Sequence, residues 1–456
     1  MATPIISFNN STGSDTAASG SGGTNLSGTS ASYSGSVVTL DGSPDLSGVL
    51  TDGSEIFWLQ TDSGRQFFPI TGKDDGLDQL TLGYAPAGTS TGLTWGYGGK
   101  RATIDNVDSR VLFQTDWTND WVVELEYTGA NYTLSTTGLS MQVTAQSDSV
   151  TIKGTGVTRP IIEQTSATHC LNLGSTGSFT PGLLIEFLQF QNSHASGGNG
   201  VYFGYKHNVT AKDCIFGDAT NQLTYAFFEA YGTTNRLHII DCEIKDCINS
   251  GIYMIRGCAV YRSWIHDNAQ YGADIGGNGS EQFWVFDSII ADNGLDGINM
   301  NTQGGYLIIR NCVIDGNTGD GIDTVAGSSM PGIMMNNTII SNNGGYGFNT
   351  DITPFTYTRS RDSDGNLWYN NTSGDVLNYV KGDNDISGSD PDFTDAANGD
   401  YSISATSPAK GAGYPTSSRT IGANQSSTTS YVDIGAAQRQ ESAGGATRLI
   451  NGGLIS

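Results

Sequence analysis

Asn268-Ala-Gln-Tyr-Gly272, Asn293-Gly-Leu-Asp-Gly297, Asn317-Thr-Gly-Asp-Gly321 and Asn343-Gly-Gly-Tyr-Gly347 are four copies of one five-residue turn, and Cys247-Ile-Asn-Ser-Gly251 is a divergent fifth. A small residue with one or two apolar neighbours precedes each turn: Cys242-Glu-Ile244, Ser263-Trp-Ile265, Ser288-Ile-Ile290, Cys312-Val-Ile314 and Thr338-Ile-Ile340. A strand-like run follows each glycine: Ile252-Tyr-Met254, Ala273-Asp-Ile275, Ile298-Asn-Met300, Ile322-Asp-Thr324 and Phe348-Asn-Thr350. The turns begin at 247, 268, 293, 317 and 343, at intervals of 21, 25, 24 and 26 residues. A period of this length marks a solenoid. No single copy can bury its apolar face, so successive copies must stack.

The whole composition agrees with that reading. Of 456 residues, 62 are glycine and only 14% are charged, which suits an all-β chain rich in tight turns. Short alternating runs of Ile, Val, Leu and Phe exclude wholesale disorder. The formal charge of −24 leaves no basic face to neutralise phosphates, which argues against nucleic acid as a partner. No stretch approaches the roughly 20 apolar residues of a membrane span, so no membrane insertion is expected. Met1-Ala-Thr-Pro-Ile-Ile-Ser-Phe lacks the basic and apolar regions of a secretory leader, and none is expected. The six cysteines show no zinc-like spacing. Cys214, Cys242 and Cys312 share the small-residue column with Ser263, Ser288 and Thr338, and Cys214 and Cys242 are expected to meet on neighbouring rungs without needing a disulfide.

Along the chain, residues 1–35 are rich in Ser, Gly and Thr and by themselves read as a flexible arm. Residues 1–98 are assigned to a small N-terminal β domain for attachment. Its short strands are Val37–Leu40, Glu55–Leu59, Gln66–Ile70 and Gln79–Leu82, and Phe57, Trp58, Phe67, Phe68, Trp95 and Tyr97 supply a compact core or a docking face. Residues 99–380 form the capped solenoid, with Lys100–Phe113 read as a short amphipathic helix covering its open end. Residues 381–456 form a closing segment and tail of irregular or β structure.

The repeats resemble the right-handed parallel β-helix proteins, a family that includes pectate-lyase-like enzymes and phage tail spikes. Ser389-Asp-Pro-Asp-Phe393, Gly399-Asp-Tyr401, Ser407-Pro-Ala-Lys-Gly-Ala-Gly413 and Asp433-Ile-Gly-Ala436 resemble the closing segment of many such helices. The resemblance extends over roughly two-thirds of the chain and is specific for fold rather than activity. It implies three parallel sheets per turn, frequent homotrimers and frequent carbohydrate ligands.

Chemistry has one natural place in such a stack. Equivalent residues lie about 4.8 Å apart. The outward column after the turn glycine reads Tyr253, Asp274, Asn299, Asp323, Asn349. Asp274 and Asp323 are two rungs apart, roughly 9–10 Å between backbones. Inverting glycosidases hold their carboxyls about 6.5–9.5 Å apart, one protonating the leaving oxygen and the other activating water. Asp274 and Asp323 are therefore the catalytic candidates. Asp296, Asp320, Asn299 and Tyr271 are the ligand-binding candidates. The same residues also suit turns and solvated strand faces without any catalysis. A lyase would need a base beside its carboxylates, yet Lys245, Arg256, Arg262 and Arg310 fall in different columns. His266, beside Asp267, has the chemistry of a proton shuttle. Asp362, Asp364, Asp383 and Asp385 offer hard oxygen ligands for calcium without completing an EF-hand; no other cofactor is expected. Tyr271, Tyr346, Trp264, Trp284 and Trp368 are expected outward or between subunits, as sugar platforms or packing.

These readings converge on a structural bacteriophage protein made in the host cytoplasm and carried on the virion surface. It is expected as a capsid decoration (cement) protein or a tail spike, trimeric, in contact with capsid or tail proteins and with host surface polysaccharide. The alternatives are a polysaccharide depolymerase using Asp274 and Asp323, and a secreted glycan-binding protein.

Overall fold

The computed structural model describes residues 5–9, 26–46, 49, 51, 56–61, 64–83, 85–86, 88, 90–97, 121–127, 129–134, 139–140, 149–173, 182–204, 208–230, 236–278, 282–303, 306–324, 332–350, 363–413 and 432–437. The chain divides into two compact units, Met1–Thr210 and Ala211–Ser456.

In the first unit, six strands close an antiparallel barrel: Leu26–Ser34, Val37–Thr39, Gln79–Leu82, Gly64–Asp74, Ile56–Thr61 and Leu93–Tyr97. Phe57, Trp58, Phe68 and Trp95 fill it and are almost wholly buried, so these four aromatics are core. The indole of Trp95 donates to Asp41 and holds that carboxyl below its usual range. The flexible-arm reading of residues 1–35 is corrected: Leu26–Ser34 is a barrel strand, and Ile5–Asn9 pairs in parallel with Trp121–Glu126. Ser, Gly and Thr fit a pleat as readily as a linker, and composition alone does not distinguish them. Solenoid rungs begin in this unit, with Val150–Thr155 between Trp121–Glu126 and Leu183–Glu186, and Ile161–Gln164 between Tyr132–Leu134 and Gln189–Asn192. The expected helix at Lys100–Phe113 lies outside the described residues.

The second unit is a parallel β-solenoid built from three sheets. Its first sheet stacks Arg236–Ile240, Cys258–Tyr261, Gln282–Phe286, Tyr306–Arg310 and Gly332–Asn336. The second stacks Ile215–Phe216, Glu243–Lys245, Trp264–His266, Ile289–Ala291, Val313–Asp315, Ile339–Ser341, Leu367–Tyr369 and Ile386–Ser387. The third stacks Phe227–Glu229, Ile252–Met254, Ala273–Asn278, Ile298–Gln303, Ile322–Thr324, Tyr346–Thr350 and Gly374–Leu377. Inward columns such as Ile239, Val260, Val285, Ile309 and Met335 are fully buried. Each such side chain contributes on the order of 1.5–3 kcal/mol.

Two left-handed corners per rung turn the chain between sheets. Asp213, Asp241, Arg262, Asp287, Asn311 and Asn337 form one corner column, with φ between 46° and 53°. Asp246, Asp267, Asp292, Gly316, Asn342 and Asn370 form the other. Asp, Asn and Gly tolerate this backbone where most residues cost about 1–2 kcal/mol. Arg262 is the exception, and its guanidinium is held by both oxygens of Asp241 at 2.8 Å. The small residue after the first corner caps the carbonyl two residues back, as Ser263 Oγ does to Tyr261 and Ser288 Oγ to Phe286. Cysteine does the same through sulfur in Cys214, Cys242 and Cys312. The thiol of Cys242 also meets that of Cys214 on the neighbouring rung, and all six cysteines are buried thiols outside any disulfide.

The turn asparagines point inward and bond to one another. The Nδ2 atoms of Asn268, Asn293, Asn317 and Asn343 donate to the Oδ1 of the next rung at 2.9, 2.8, 3.0 and 2.8 Å, ending on Asn371. Each Oδ1 also accepts a backbone N–H from the rung before. The turn glycines pack against this ladder: a Cβ on Gly297 would lie 2.7 Å from the Gly321 carbonyl and 2.9 Å from Asn317 Nδ2.

The closing segment lies on the outer face of the second sheet. Tyr401, Ile403, Ala409, Ile434 and Ala436 pack on Ile289, Val313, Ile339 and Leu367. This explains the apolar pairs in the sequence: Ile290, Ile314 and Ile340 face the core, and Ile289, Val313 and Ile339 face the closing segment.

Asn317→Leu removes the middle of the ladder and strands the Asn293 amide donors and the Ile290 and Asp315 carbonyls. It is expected to cost about 3 kcal/mol, seen as a lower urea midpoint with unchanged slope. Asn370→Ala at an exposed left-handed corner, by contrast, leaves the ladder intact and is expected to cost only about 1–2 kcal/mol, from backbone strain.

Candidate functional site

Strand alternation builds the site. In the third sheet Ile252, Met254, Ile275, Ile298, Met300 and Ile322 fill the core, so the residues between them face outward. Pairing aligns Phe228, Tyr253, Asp274, Asn299, Asp323 and Asn349 in one column, rung by rung. Asp274 and Asp323 are thus two rungs apart, with Asn299 between them. The residue before each turn glycine forms a second column: Ser250, Tyr271, Asp296, Asp320 and Tyr346. All six sequence candidates for catalysis and ligand binding therefore meet on one face.

The polar groups of this face are oriented by one another. Asn299 Nδ2 donates to Asp274 Oδ1 at 3.0 Å. The Asp320 amide donates to Asp296 Oδ1 at 2.7 Å, and Asn349 Nδ2 donates to Asp320 Oδ2 at 2.8 Å. The second oxygen of Asp320 takes the Tyr346 amide. These bonds fix the two asparagine amides with their nitrogens on carboxylates. The Oδ1 atoms of Asn299 and Asn349 are left buried without a partner. Buried unsatisfied acceptors are uncommon in native structures.

Burial pushes the Asp274 carboxyl up to about 6, aided by the charge of Asp296, although the Asn299 bond opposes it. Burial also pushes Asp296 up to about 6, aided by Asp320. The Tyr271 phenol is raised by burial and then by Asp296, Asp274 and Asp323, so all four share one electrostatic field. Such raised carboxyls are poised near neutrality, where an acid can still carry its proton.

Aromatic rings extend the face at one end. Phe228 stacks on Tyr253 with centroids 5.1 Å apart and planes 18° from parallel. Tyr225 lies 5.0 Å from Phe228 and 5.8 Å from Tyr253. Tyr225 and Phe228 were not among the sequence candidates, because they precede the clear repeats. Their signal is the apolar run Tyr225-Ala-Phe-Phe228, one rung before Tyr253.

The other candidates lie elsewhere. Trp264 is on the outer face of the second sheet, stacked 3.6 Å from His266 and close beneath Gly399. Trp284 lies in the outward column of the first sheet, between Ala259 and Ile308. The outward placement of Trp368 is corrected: it is fully buried in register with Ile340, and its indole donates to Asp385 at 2.8 Å. His266 bonds Asp267 at 2.6 Å and Glu243 at 3.3 Å. Burial pulls its pKa down, but the two carboxylates outweigh that and hold it above the usual histidine range. It stands on the second sheet, not in the Asp274 column, and both ring nitrogens are engaged. Lys245 pairs with Glu243 at 2.7 Å and Arg262 with Asp241, so neither adjoins the Asp274 column.

Of the calcium candidates, Asp362 lies outside the described residues. Asp364 accepts from the Gly365 and Asn384 amides and from Asn384 Nδ2. Asp385 accepts from Asn366, Trp368 and Gly382. Asp383 is exposed. The described residues contain no group of three or more His, Cys, Asp or Glu placed to hold a metal ion.

Residues 228–390 match the family described as the right handed beta helix region, in agreement with the parallel β-solenoid fold of this chain. No curated protein matches the sequence. Among solved structures, the mannuronan C-5 epimerase AlgE4 A-module of Azotobacter vinelandii is 13% identical over 59% of this chain and 88% of its own, with a TM-score of 0.36. Pectate lyase Pel9A is 14% identical over 70% and 88%, also at 0.36. The tailspike protein gp49 of Pseudomonas phage LKA1 is 10% identical over 76% and 62%, at 0.18. These values carry no argument about activity.

The raised pKa of Asp274 has a thermodynamic consequence. Its protonated form is favoured by folding, so this contribution is complete below the unfolded value near 3.8 and is lost as pH rises through about 6. Asp274→Asn keeps an acceptor for Asn299 and removes the charge. Relative to wild type, the variant is expected to gain on the order of 1–2 kcal/mol between about pH 4 and pH 7.5, allowing for solvent screening, in urea titrations at the two pH values.

Proposed function

We propose that the protein is a rigid glycan-binding rod on the surface of a bacteriophage particle, and that the third-sheet face holds host polysaccharide. One observation carries the glycan reading. A cluster of three outward rings, Tyr225, Phe228 and Tyr253, runs directly into a column of polar side chains, Asp274, Asn299, Asp323 and Asn349. Apolar sugar faces stack on rings while their hydroxyls need acceptors, and this column provides both along one line.

The particle role is a tail spike or a capsid decoration (cement) protein, assembled as a homotrimer in contact with capsid or tail proteins. What supports self-association is the outward column of the first sheet, where the half-buried Trp284, Ile308 and Met334 follow one another rung by rung. A second reading, polysaccharide depolymerase, is favoured by the raised carboxyl of Asp274 two rungs from Asp323. In that reading Asp274 protonates the leaving oxygen and Asp323 activates water.

Affinity electrophoresis through gels of host capsule or O-antigen is expected to retard the wild-type chain. Tyr253→Ala is expected to weaken binding about tenfold, some 1.4 kcal/mol. Unretarded migration in every host polysaccharide removes the glycan role. New reducing ends that disappear in Asp274→Asn select the depolymerase. Light scattering at three times the chain mass supports the trimer, and a monomer rejects it. Particles lacking the protein separate the two virion roles: weakened shells indicate cement, and lost adsorption indicates a spike.

A further inference from the structure

The outer face of the first sheet in the second unit is free of carboxylates. Its described strands from Arg236 to Asn336 place no Asp or Glu outward, in a chain with 45 acidic and 21 basic residues. Trp284, Ile308 and Met334 form one outward column, and Ile240, Tyr261 and Phe286 begin the column beside it. The rings of Tyr261 and Phe286 stack with centroids 5.4 Å apart, and Trp284 meets Phe286 edge-on at 6.4 Å. The formally charged residues of this face, Arg236 and Arg310, are both basic. Arg236 is exposed, and Arg310 reaches across the face with Nη2 2.8 Å from Met334 Sδ. The closing segment packs on the second sheet and against none of these side chains.

The closing segment has the opposite character on its outside. Its apolar side chains are turned onto the second sheet, while Asp390, Asp392 and Asp395 are exposed. A self-matching patch makes pairs, whereas a closed ring of three needs two different surfaces on each copy. We infer that the first sheet of one copy docks on the closing segment of the next, with Arg236 and Arg310 turned toward those aspartates. The inference rests on the homotrimer reading above and names its two surfaces. Copies that each carry a charge of −24 repel one another, and contact is favoured where a basic, carboxylate-free face meets an acidic one. Docking covers Trp284, Ile308 and Met334 with a neighbour, as the closing segment covers Ile289, Val313 and Ile339 within one chain. It leaves the third-sheet face, with Tyr253 and Asp274, open to a glycan.

Light scattering of the full chain over a concentration series tests this. Trp284→Glu sets a charge in the apolar column and is expected to weaken assembly about 100-fold, leaving single chains. Arg236→Glu, at an exposed position, is expected to weaken it about tenfold with an unchanged urea midpoint. Asp390→Lys with Asp395→Lys, on the segment, is expected to leave single chains as well. The deciding measurement is a mixture. The Trp284→Glu chain keeps its closing segment, and the Asp390→Lys, Asp395→Lys chain keeps its first sheet. The two are expected to pair at twice the chain mass although neither assembles alone, because one sound contact remains between them.

A mixture that stays at the single-chain mass overturns the inference and leaves the trimer standing. So does a trimer that persists in Trp284→Glu, in Arg236→Glu and in the Asp390→Lys, Asp395→Lys chain. A wild-type chain that is monomeric or dimeric at every concentration overturns the trimer and the inference together. If the urea midpoint shows Trp284→Glu to be unfolded, Met334→Glu takes its place in the mixture, with the same outcomes expected.

Discussion

The asparagine ladder is the constraint on which the solenoid depends. Each turn must end one sheet and start the next without leaving its backbone groups bare inside the core. Asn268, Asn293, Asn317 and Asn343 solve this with one side chain per rung, whose oxygen takes a backbone N–H while its nitrogen reaches the next rung, and Asn371 ends the series by donating to the Ile340 carbonyl. Because each amide both donates and accepts, the ladder has a direction and fixes rung-to-rung register. A slip of one residue would break every bond in it and turn each apolar column outward. At the start of the series Cys247 stands in this position and accepts no ladder bond, but its N–H still donates to Asn268. That places the ladder's end where the sequence repeat fades.

Much of this was legible because it recurs. Asn and Gly four apart have one geometric job, and its repetition at near-constant spacing revealed the stack, the register and the outward column of Asp274 and Asp323. Features that occur once were not legible. The strand Ile5–Asn9 has no repeat to align with, and its apolar Ile5, Ile6 and Phe8 stand just before a long Ser/Gly/Thr-rich stretch that reads as a linker. Trp368 sits in the inward column where earlier rungs carry Ile, so its size suggested a surface role while its register makes it core. Tyr225 and Phe228 belong to the site but precede the first clear turn. The left-handed corners were half visible: the small-residue column was plain in sequence, but the Asp or Asn before it carries the turn.

The closing segment shows how one sheet's outer face is disposed of. Paired apolar residues such as Ile339-Ile340 would expose a greasy stripe on a lone solenoid. Tyr401, Ile403, Ala409, Ile434 and Ala436 cover that stripe within the same unit, and the backbone N–H of Gly435 bonds to the Asn337 carbonyl. Tyr401 also donates to Asp292 at 3.3 Å, tying the segment to a corner residue. The segment therefore acts first as packing, and any further role must use what it leaves exposed.

The three sheets share one backbone rule and differ only in what their outward columns carry. The second is apolar and covered at Ile289, Val313, Ile339 and Leu367. The first is apolar at Ala259, Trp284, Ile308 and Met334. Among the described residues, the third places rings, carboxylates and unpaired amide oxygens together. Stacking tolerates almost any outward residue, so it does not dictate this pattern: a solvated face would be served by any mix of Ser, Thr and Lys. Burying Asp274 and Asp296 enough to raise both to about 6 costs folding energy, and stranding the Asn299 oxygen costs more. Similar costs occur on the other sheets, as at the raised Asp315 and the buried indole nitrogens of Trp264 and Trp284, so what sets the third face apart is the meeting of rings and carboxylates along one column.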